Sequence, residues 1–364
     1  MPPLPEADLD HILAHTRGLW EPLRGRNLFV TGGTGFFGRW LLESFAFING
    51  RLNLGAHATV LTRSPAAFTE RAPHLAGESC LAIVQGDVNH FTCRQVREQL
   101  PAGHDGNFSF LIHAATEASA RLNEEEPLRM IDTIVSGTRR ALDFAVETGA
   151  RRFLLTSSGA VYGPQPPEIT HVPEEYSGGP DCNQPRSAYG ESKRLAELLC
   201  ACYTGRGIEP VIARAFAFVG PLLPLDSHFA VGNFIRDALD GGPIRIGGDG
   251  TPCRSYLHAA DLAVWLWHLL FRAEPNRPYN VGSDHSLSIA ELAALVAECS
   301  GLPVEVAIAR PKTPGAPPSR YVPRTSRAAR ELGLETWIPL PEALRRTFAW
   351  HRLDVAAHPK DLCV

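Results

Sequence analysis

The chain is 364 residues long, carries a formal charge of −4 and is 44% hydrophobic. That length is too great for one small domain; it suits one large α/β unit with a lobe, or two domains sharing an interface. The mild charge offers no broad polyanion-binding surface, so no nucleic-acid partner is expected, and any site for a phosphorylated ligand must be local.

The first residues, MPPLPEADLD, are acidic and proline-rich. They lack the basic start and apolar core of a signal peptide. From Ala7 to Trp20 the residues Leu9, Ile12, Leu13, Leu19 and Trp20 recur at a rough helical spacing, which predicts a surface helix packed on the main body. Alternation then begins. Short apolar runs predict strands at Asn27–Thr31, Thr59–Thr62, Cys80–Gln85, Phe110–His113, Phe153–Ser157 and Val211–Ala215. Helical patterns cover Phe37–Phe47, Arg129–Thr148 and Ala188–Tyr203. Strands alternating with helices predict an α/β fold, a doubly wound parallel sheet covered on both faces. Past residue 220, proline and glycine punctuate the chain, as in GPLLPL and DGGPIRIGGDG, and mark loops and short elements. Helices are expected around Asp261–Phe271 and Ile289–Ser300, and 311–323 reads as a proline-rich loop.

The apolar stretch Leu262–Phe271 is too short to span a bilayer, and no run of about 18 apolar residues occurs, so no membrane partner is expected. Eight cysteines are scattered without a CxxC pair. They read as reduced, mostly buried thiols of a cytoplasmic protein. Cys200 and Cys202, two apart on a helix, should face different directions. Cys182, in a polar loop, is a minor candidate for the site. No metal site is expected.

The first strand runs into Gly32-Gly33-Thr34-Gly35-Phe36-Phe37-Gly38, a GxxGxxG turn that opens a helix. Gly32 permits a tight turn, Gly35 lets the backbone approach a pyrophosphate, and Gly38 lets the helix pack on the strand. The helix start offers free N–H groups and a positive dipole end to phosphates. Phe36 and Phe37 belong to this cradle. At the end of the second strand, an acid would bind the adenosine ribose; Arg63 and Ser64 stand there instead. A guanidinium suits a 2′-phosphate, and Arg39 is placed to help. NADP(H) is therefore favoured, with NAD(H) the alternative. Asp87, beside Val88 after the third strand, would face the adenine. Ala114 and Ala115 end the fourth strand with small residues that let a cofactor lie close.

The fifth strand ends in a Ser-Ser pair, Ser157-Ser158, and Tyr189-Gly190-Glu191-Ser192-Lys193 follows. The YxxxK spacing stacks tyrosine and lysine one helical turn apart. A phenol near pKa ~10 is a poor base at neutral pH. The lysine ammonium, together with a cationic nicotinamide, is expected to lower that pKa. Tyr189 then takes a proton from an alcohol as hydride leaves, or gives one to a ketone as hydride arrives. Ser158 holds the same substrate oxygen.

TGGTGFFG, HAAT, SSGAVYG and YGESKRLAE resemble the extended short-chain dehydrogenase/reductase family, in its nucleotide-sugar epimerase/dehydratase branch. The resemblance implies a Rossmann-like NAD(P)-binding domain over 26–215, after an N-terminal helical extension at 1–25. It implies a smaller substrate-binding lobe over 216–364, partly interleaved with the sheet. It implies Ser158, Tyr189 and Lys193 as the catalytic set, with Lys193 also holding the nicotinamide ribose. By the same match, Arg254 in GDGTPCRSYLHAADL grips the diphosphate of a nucleotide-diphosphate sugar. Tyr279-Asn280-Val281-Gly282 resembles the family's YNVG segment. The two long helices, 129–148 and 188–203, are where the family pairs into homodimers.

Three departures bear on the reaction. Gly159 and Ala160 stand where the family's dehydratases carry Asp-Glu, and its decarboxylases a glutamate at the second position. Ala217 replaces an asparagine expected at the diphosphate. Arg63 replaces the acid of NAD-bound members. These favour an epimerase or 4-ketoreductase, with a 4,6-dehydratase or decarboxylase of the same family as the alternative. A carbonyl reductase of a non-nucleotide substrate and a non-enzymatic cofactor-binding regulator are further readings. Glu117, His228 and Asn233 are the remaining substrate-side candidates.

Overall fold

The computed structural model describes residues 1–116, 120–227 and 229–357. Strands β1 (Asn27–Thr31), β2 (His57–Thr62), β3 (Leu81–Gln85), β4 (Phe110–His113), β5 (Arg152–Ser158) and β6 (Glu209–Ala215) build a parallel sheet. The two-residue strand β7 (Cys253–Arg254) lies outside it, and β8 (Pro278–Val281) closes its far edge against β6. The order across the sheet is β8-β6-β5-β4-β1-β2-β3. Six of these seven strands are legible as apolar runs. β8 is not, because it is four residues long and opens on a proline, which is tolerated at a sheet edge.

Successive side chains of β1 point to opposite faces. Leu28 and Val30 join a core with α2 (Phe36–Leu52) and α6 (Ala259–Arg272). Phe29 faces the other core, where it meets Phe91, Phe108 and Phe144 at ring-centroid distances of 5.7, 5.1 and 4.4 Å. Helices α3 (Pro127–Thr148) and α4 (Ala188–Tyr203) cover that side. The sheet is thus doubly wound. Every residue of α6 from Ala259 to Leu270 is buried, so the helix is apolar on nearly all sides, Asp261 and His268 excepted.

The N-terminal segment differs from the expected surface helix. α1 (Glu6–His15) stops early, where the Thr16 hydroxyl donates to the Ile12 carbonyl at 2.7 Å and accepts from the Trp20 indole at 2.9 Å. Trp20 then packs on Trp267 of α6, with ring centroids 4.7 Å apart. Ile12, Leu19, Trp20 and Leu23 are all buried in the main core. Burial of each such side chain is worth about 1.5–3 kcal/mol, so this segment helps hold the fold together.

The cysteines are not mostly buried, contrary to the expectation from their spacing and composition. Of the seven described cysteines only Cys200 is buried, and Cys182 and Cys202 are exposed. Cys200 and Cys202 do face different ways, as their spacing requires. The others are half-buried because they sit near element ends, where one side of the residue meets solvent. No helix among the described residues is long and apolar enough to cross a membrane.

Past the sheet, α5 (Ala230–Leu239) precedes a small three-stranded sheet. There β7 lies between β9 (Leu287–Ser288) and β10 (Arg320–Tyr321). Strand order reverses between β1 and β4. That crevice at the strands' carboxyl ends is where an open α/β sheet binds ligands.

Candidate active site

The glycine turn sits at that crevice. Gly32 has φ +74°, and a Cβ there would lie 2.4 Å from the Ala114 carbonyl carbon. A Cβ at Gly38 would come within 2.2 Å of the Gly32 oxygen. These two glycines are required by the chain itself. Gly35 is different. Its φ of −82° suits any residue, and an added Cβ would meet only the Gly32 oxygen, at 3.5 Å. It is exposed and stands at the N-cap of α2 with no side-chain cap. No side chain among the described residues caps the first N–H groups of α2, and the open crest above them leaves room for a pyrophosphate. The residues fit a dinucleotide.

Around the turn, Phe36 and Phe37 are half-buried, and Phe37 packs edge-on against Phe218 at 5.1 Å. Arg63 is exposed at the end of β2. Ser64 is already engaged, accepting from the Ala67 amide as a helix cap. Arg39 does not reach this region as expected. It is 4% exposed and bound to Glu43 at 2.8 Å, because it lies on the core-facing side of α2. Asp87 is half-buried and accepts from the Asn89 amide at 2.8 Å. Val88 leans on α3 near Gly137. Ala114 and Ala115 are half-buried beside Gly32.

The side chains of Ser158, Tyr189 and Lys193 meet across the sheet's carboxyl edge. Ser158 is the last residue of β5 and accepts from the Ala160 amide at 3.1 Å. Tyr189 and Lys193 lie on α4, with the ammonium 6.0 Å from the phenol ring. Lys193 is 2% exposed and donates to the Thr116 hydroxyl at 2.7 Å and the Thr156 carbonyl at 2.8 Å. Burial pushes its pKa down to about 7, against the pull of Glu197 one turn later on α4. Glu197 accepts from Ser157 at 2.5 Å and holds Arg214 at 2.7 Å. Arg214 in turn donates to the Tyr162 hydroxyl at 2.8 Å, and Tyr162 to Asn280 at 2.7 Å. This buried polar chain ties α4 to β5, β6 and β8.

The phenol of Tyr189 does not behave as the spacing suggests. Burial raises its pKa above the ordinary value, and only the hydrogen bond with Ser158 pulls it down. Lys193 supplies no lowering in the chain alone. Its charge is itself desolvated, and it points to Thr116 and Thr156.

Arg254 lies on β7, half-buried, donating to the Cys253 carbonyl at 2.8 Å. Its guanidinium stands 6.0 Å from the ring of Tyr321, its register partner on β10. Asn233 is half-buried on α5 and accepts from Arg236 at 3.4 Å. The Ala217 carbonyl accepts from the Leu257 amide at 3.1 Å. Glu117 and His228 lie outside the described residues. Sequence reasoning assigned no role to Thr116, Glu197, Arg214 or Tyr321. Glu197 was findable as the i+4 neighbour of Lys193. Tyr321 sits in a proline-rich segment without any local signal.

The sequence profile of the NAD dependent epimerase/dehydratase family matches residues 28–282. The chain is 30% identical to UDP-glucuronic acid decarboxylase 6 of Arabidopsis thaliana, over 89% of this chain and 90% of that one. Its fold resembles UDP-glucose 4-epimerase of Thermotoga maritima, solved with UDP-glucose, at a TM-score of 0.74 and 21% identity, covering 90% of this chain and 99% of that one. It also resembles DesIV, the dTDP-glucose 4,6-dehydratase of Streptomyces venezuelae solved with NAD, at a TM-score of 0.73 and 23% identity, covering 92% and 99%. With a profile match over residues 28–282, most of its length, the chain belongs to the NAD dependent epimerase/dehydratase family.

Proposed function

We propose that this protein moves a hydride at a ring carbon of a nucleotide-diphosphate sugar, as an epimerase or a 4-ketoreductase. The convergence of Ser158, Tyr189 and Lys193 beside the Gly35 crest carries the reading. The bound nicotinamide cofactor supplies the hydride acceptor or donor. The chain does the rest. Ser158 holds the reacting oxygen, and Tyr189 takes or gives its proton. Lys193 is held by Thr116 and Thr156, leaving one N–H to turn toward the cofactor's ribose. Arg254 offers a guanidinium to the diphosphate. Gly159 and Ala160 bring no ionisable side chain, so a mechanism needing only the tyrosine fits best.

The exposed Arg63 favours NADP(H), with NAD(H) accommodated as the alternative. Exposed Leu128, Ile131, Leu195 and Leu198 on α3 and α4 favour a homodimer through that face. The free cysteines fit a cytoplasmic location.

A second reading, decarboxylation, is favoured by the likeness to the Arabidopsis enzyme. The two separate in one experiment. The protein is incubated with UDP-glucose, UDP-galactose, UDP-glucuronic acid and nucleotide 4-keto sugars, with NAD or NADPH, and product mass is followed. Inversion without mass change marks an epimerase, gain of two hydrogens a ketoreductase, and loss of carbon dioxide the second reading. Turnover by Tyr189→Phe at the wild-type rate, or no conversion of any substrate, overturns the proposal.

A further inference from the structure

Gly159 follows Ser158 directly, and a distant residue fills the space beside it. A Cβ at position 159 would lie 2.7 Å from the Tyr321 hydroxyl and 2.7 Å from the Phe216 ring. The tyrosine therefore occupies volume that a side chain at 159 would need. It is 162 positions away in the chain, so only the fold brings the two together. The ring of Tyr321 is backed by Phe216, with centroids 4.6 Å apart. Arg254 lies 6.0 Å from the ring centre. The hydroxyl also reaches the Ala215 carbonyl, at a long 3.4 Å. A bond of that length is weak, so the proton is readily turned to a better acceptor. Ser158 bonds to the same phenol, and burial raises its pKa, which keeps it protonated at neutral pH.

We propose that Tyr321 is a catalytic residue whose hydroxyl donates a hydrogen bond to the reacting oxygen of the sugar, alongside Ser158. The proposal rests on the hydride-transfer reading above. Tyr321 forms no bond to carbon and transfers no proton. As hydride reaches the carbonyl carbon, the oxygen gains negative charge. Tyr321 and Ser158 stabilise that charge while the proton of Tyr189 passes to the oxygen. In the reverse direction Tyr189 takes the proton back, and the two donors hold the same oxygen. Each ring has a cation 6.0 Å from its centre, Lys193 for Tyr189 and Arg254 for Tyr321. Tyr189 moves the proton, and Tyr321, held against Phe216, keeps its own and stays a donor. A donor aimed at developing charge in a water-poor site is worth far more than in bulk water. Glycine at 159 is then what makes room for it.

The test uses the full-length protein and the sugar nucleotide from the panel that the wild type converts. Tyr321→Phe keeps the ring against Phe216 and removes only the hydroxyl. We expect kcat to fall about a hundredfold, the usual scale for one donor to an oxyanion. KM, melting temperature and the calorimetric affinity for the corresponding free nucleoside diphosphate should stay at wild-type values. With deuterium at the reacting carbon, the isotope effect on kcat should rise, because the hydride step has slowed. A kcat within twofold of wild type, or a loss explained by lower melting temperature and weaker nucleoside diphosphate binding, overturns the proposal. Tyr189→Phe is run in parallel. Full turnover by that variant refutes the hydride-transfer reading itself, and this inference falls with it.

Discussion

The ammonium of Lys193 donates to the carbonyl of Thr156 across 2.8 Å, which fastens the helix carrying Tyr189 to the strand carrying Ser158. Tyr189 and Ser158 are 31 residues apart, and this one bond fixes their separation more directly than the loop between them. The cost is a buried charge. Desolvation holds the Lys193 pKa at about 7, well below its ordinary 10.5. Glu197 limits that cost from one turn away and is itself anchored by Arg214 and Ser157.

The buried lysine gives the first prediction. Its folded pKa is depressed, so between about 7 and 10.5 the unfolded chain binds the extra proton. Stability from this group therefore rises with pH across that window, and the penalty is full below it. Lys193→Met removes the penalty. Its stability relative to wild type should be greatest near pH ~6 and should shrink toward pH ~9. Thermal unfolding at the two values checks this, and turnover should be lost at both. A difference that grows with pH would show that the lysine is not buried as a charge.

Gly35 and Gly32 should separate folding from binding. Gly35→Ala meets no protein atom closer than 3.5 Å, so its melting temperature should match wild type. Its affinity for NAD(H) or NADP(H) should fall about tenfold or more, a loss of ~1.4 kcal/mol. Gly32→Ala is strained at φ +74° and collides with Ala114, so it should lower the melting temperature directly. Fluorescence titration with NADPH and a thermal scan decide the matter. Unchanged cofactor affinity in Gly35→Ala would mean the crest does not hold the pyrophosphate.

Arg63 should govern the choice of cofactor. Its exposed guanidinium is available for a charge-assisted bond to a 2′-phosphate, worth about 1.5–3 kcal/mol. Arg63→Ala should therefore weaken NADPH by tenfold to a hundredfold and leave NADH nearly unchanged. Parallel titrations give the ratio. Equal losses for both cofactors would remove the case for an NADP(H) preference.

The face of α3 and α4 should control assembly. Leu198 is 57% exposed there, and Leu195 and Ile131 lie on the same face. Leu198→Glu would bury an unpaired carboxylate in any interface formed on this face. Light scattering should show a dimer for the wild type and a monomer for the variant. A wild-type monomer, or a variant that still dimerises fully, would place the contact elsewhere or nowhere.

Much of this was readable along the chain. The glycine turn, the alternation of six strands and the Tyr189–Lys193 spacing are short-range patterns, and local backbone geometry dictates them. The sequence by itself determined six of the seven strands, the glycine turn and which helix bears Tyr189 and Lys193. The rest depends on residues far apart in the chain. Only the tertiary structure turned Arg39 inward to Glu43, buried Trp20 against Trp267, and set Thr116 under Lys193. Only it placed the Tyr321 hydroxyl where a side chain at Gly159 would stand. The sign of the Tyr189 shift was decided there too, because desolvation is a property of the packed interior rather than of neighbours in sequence.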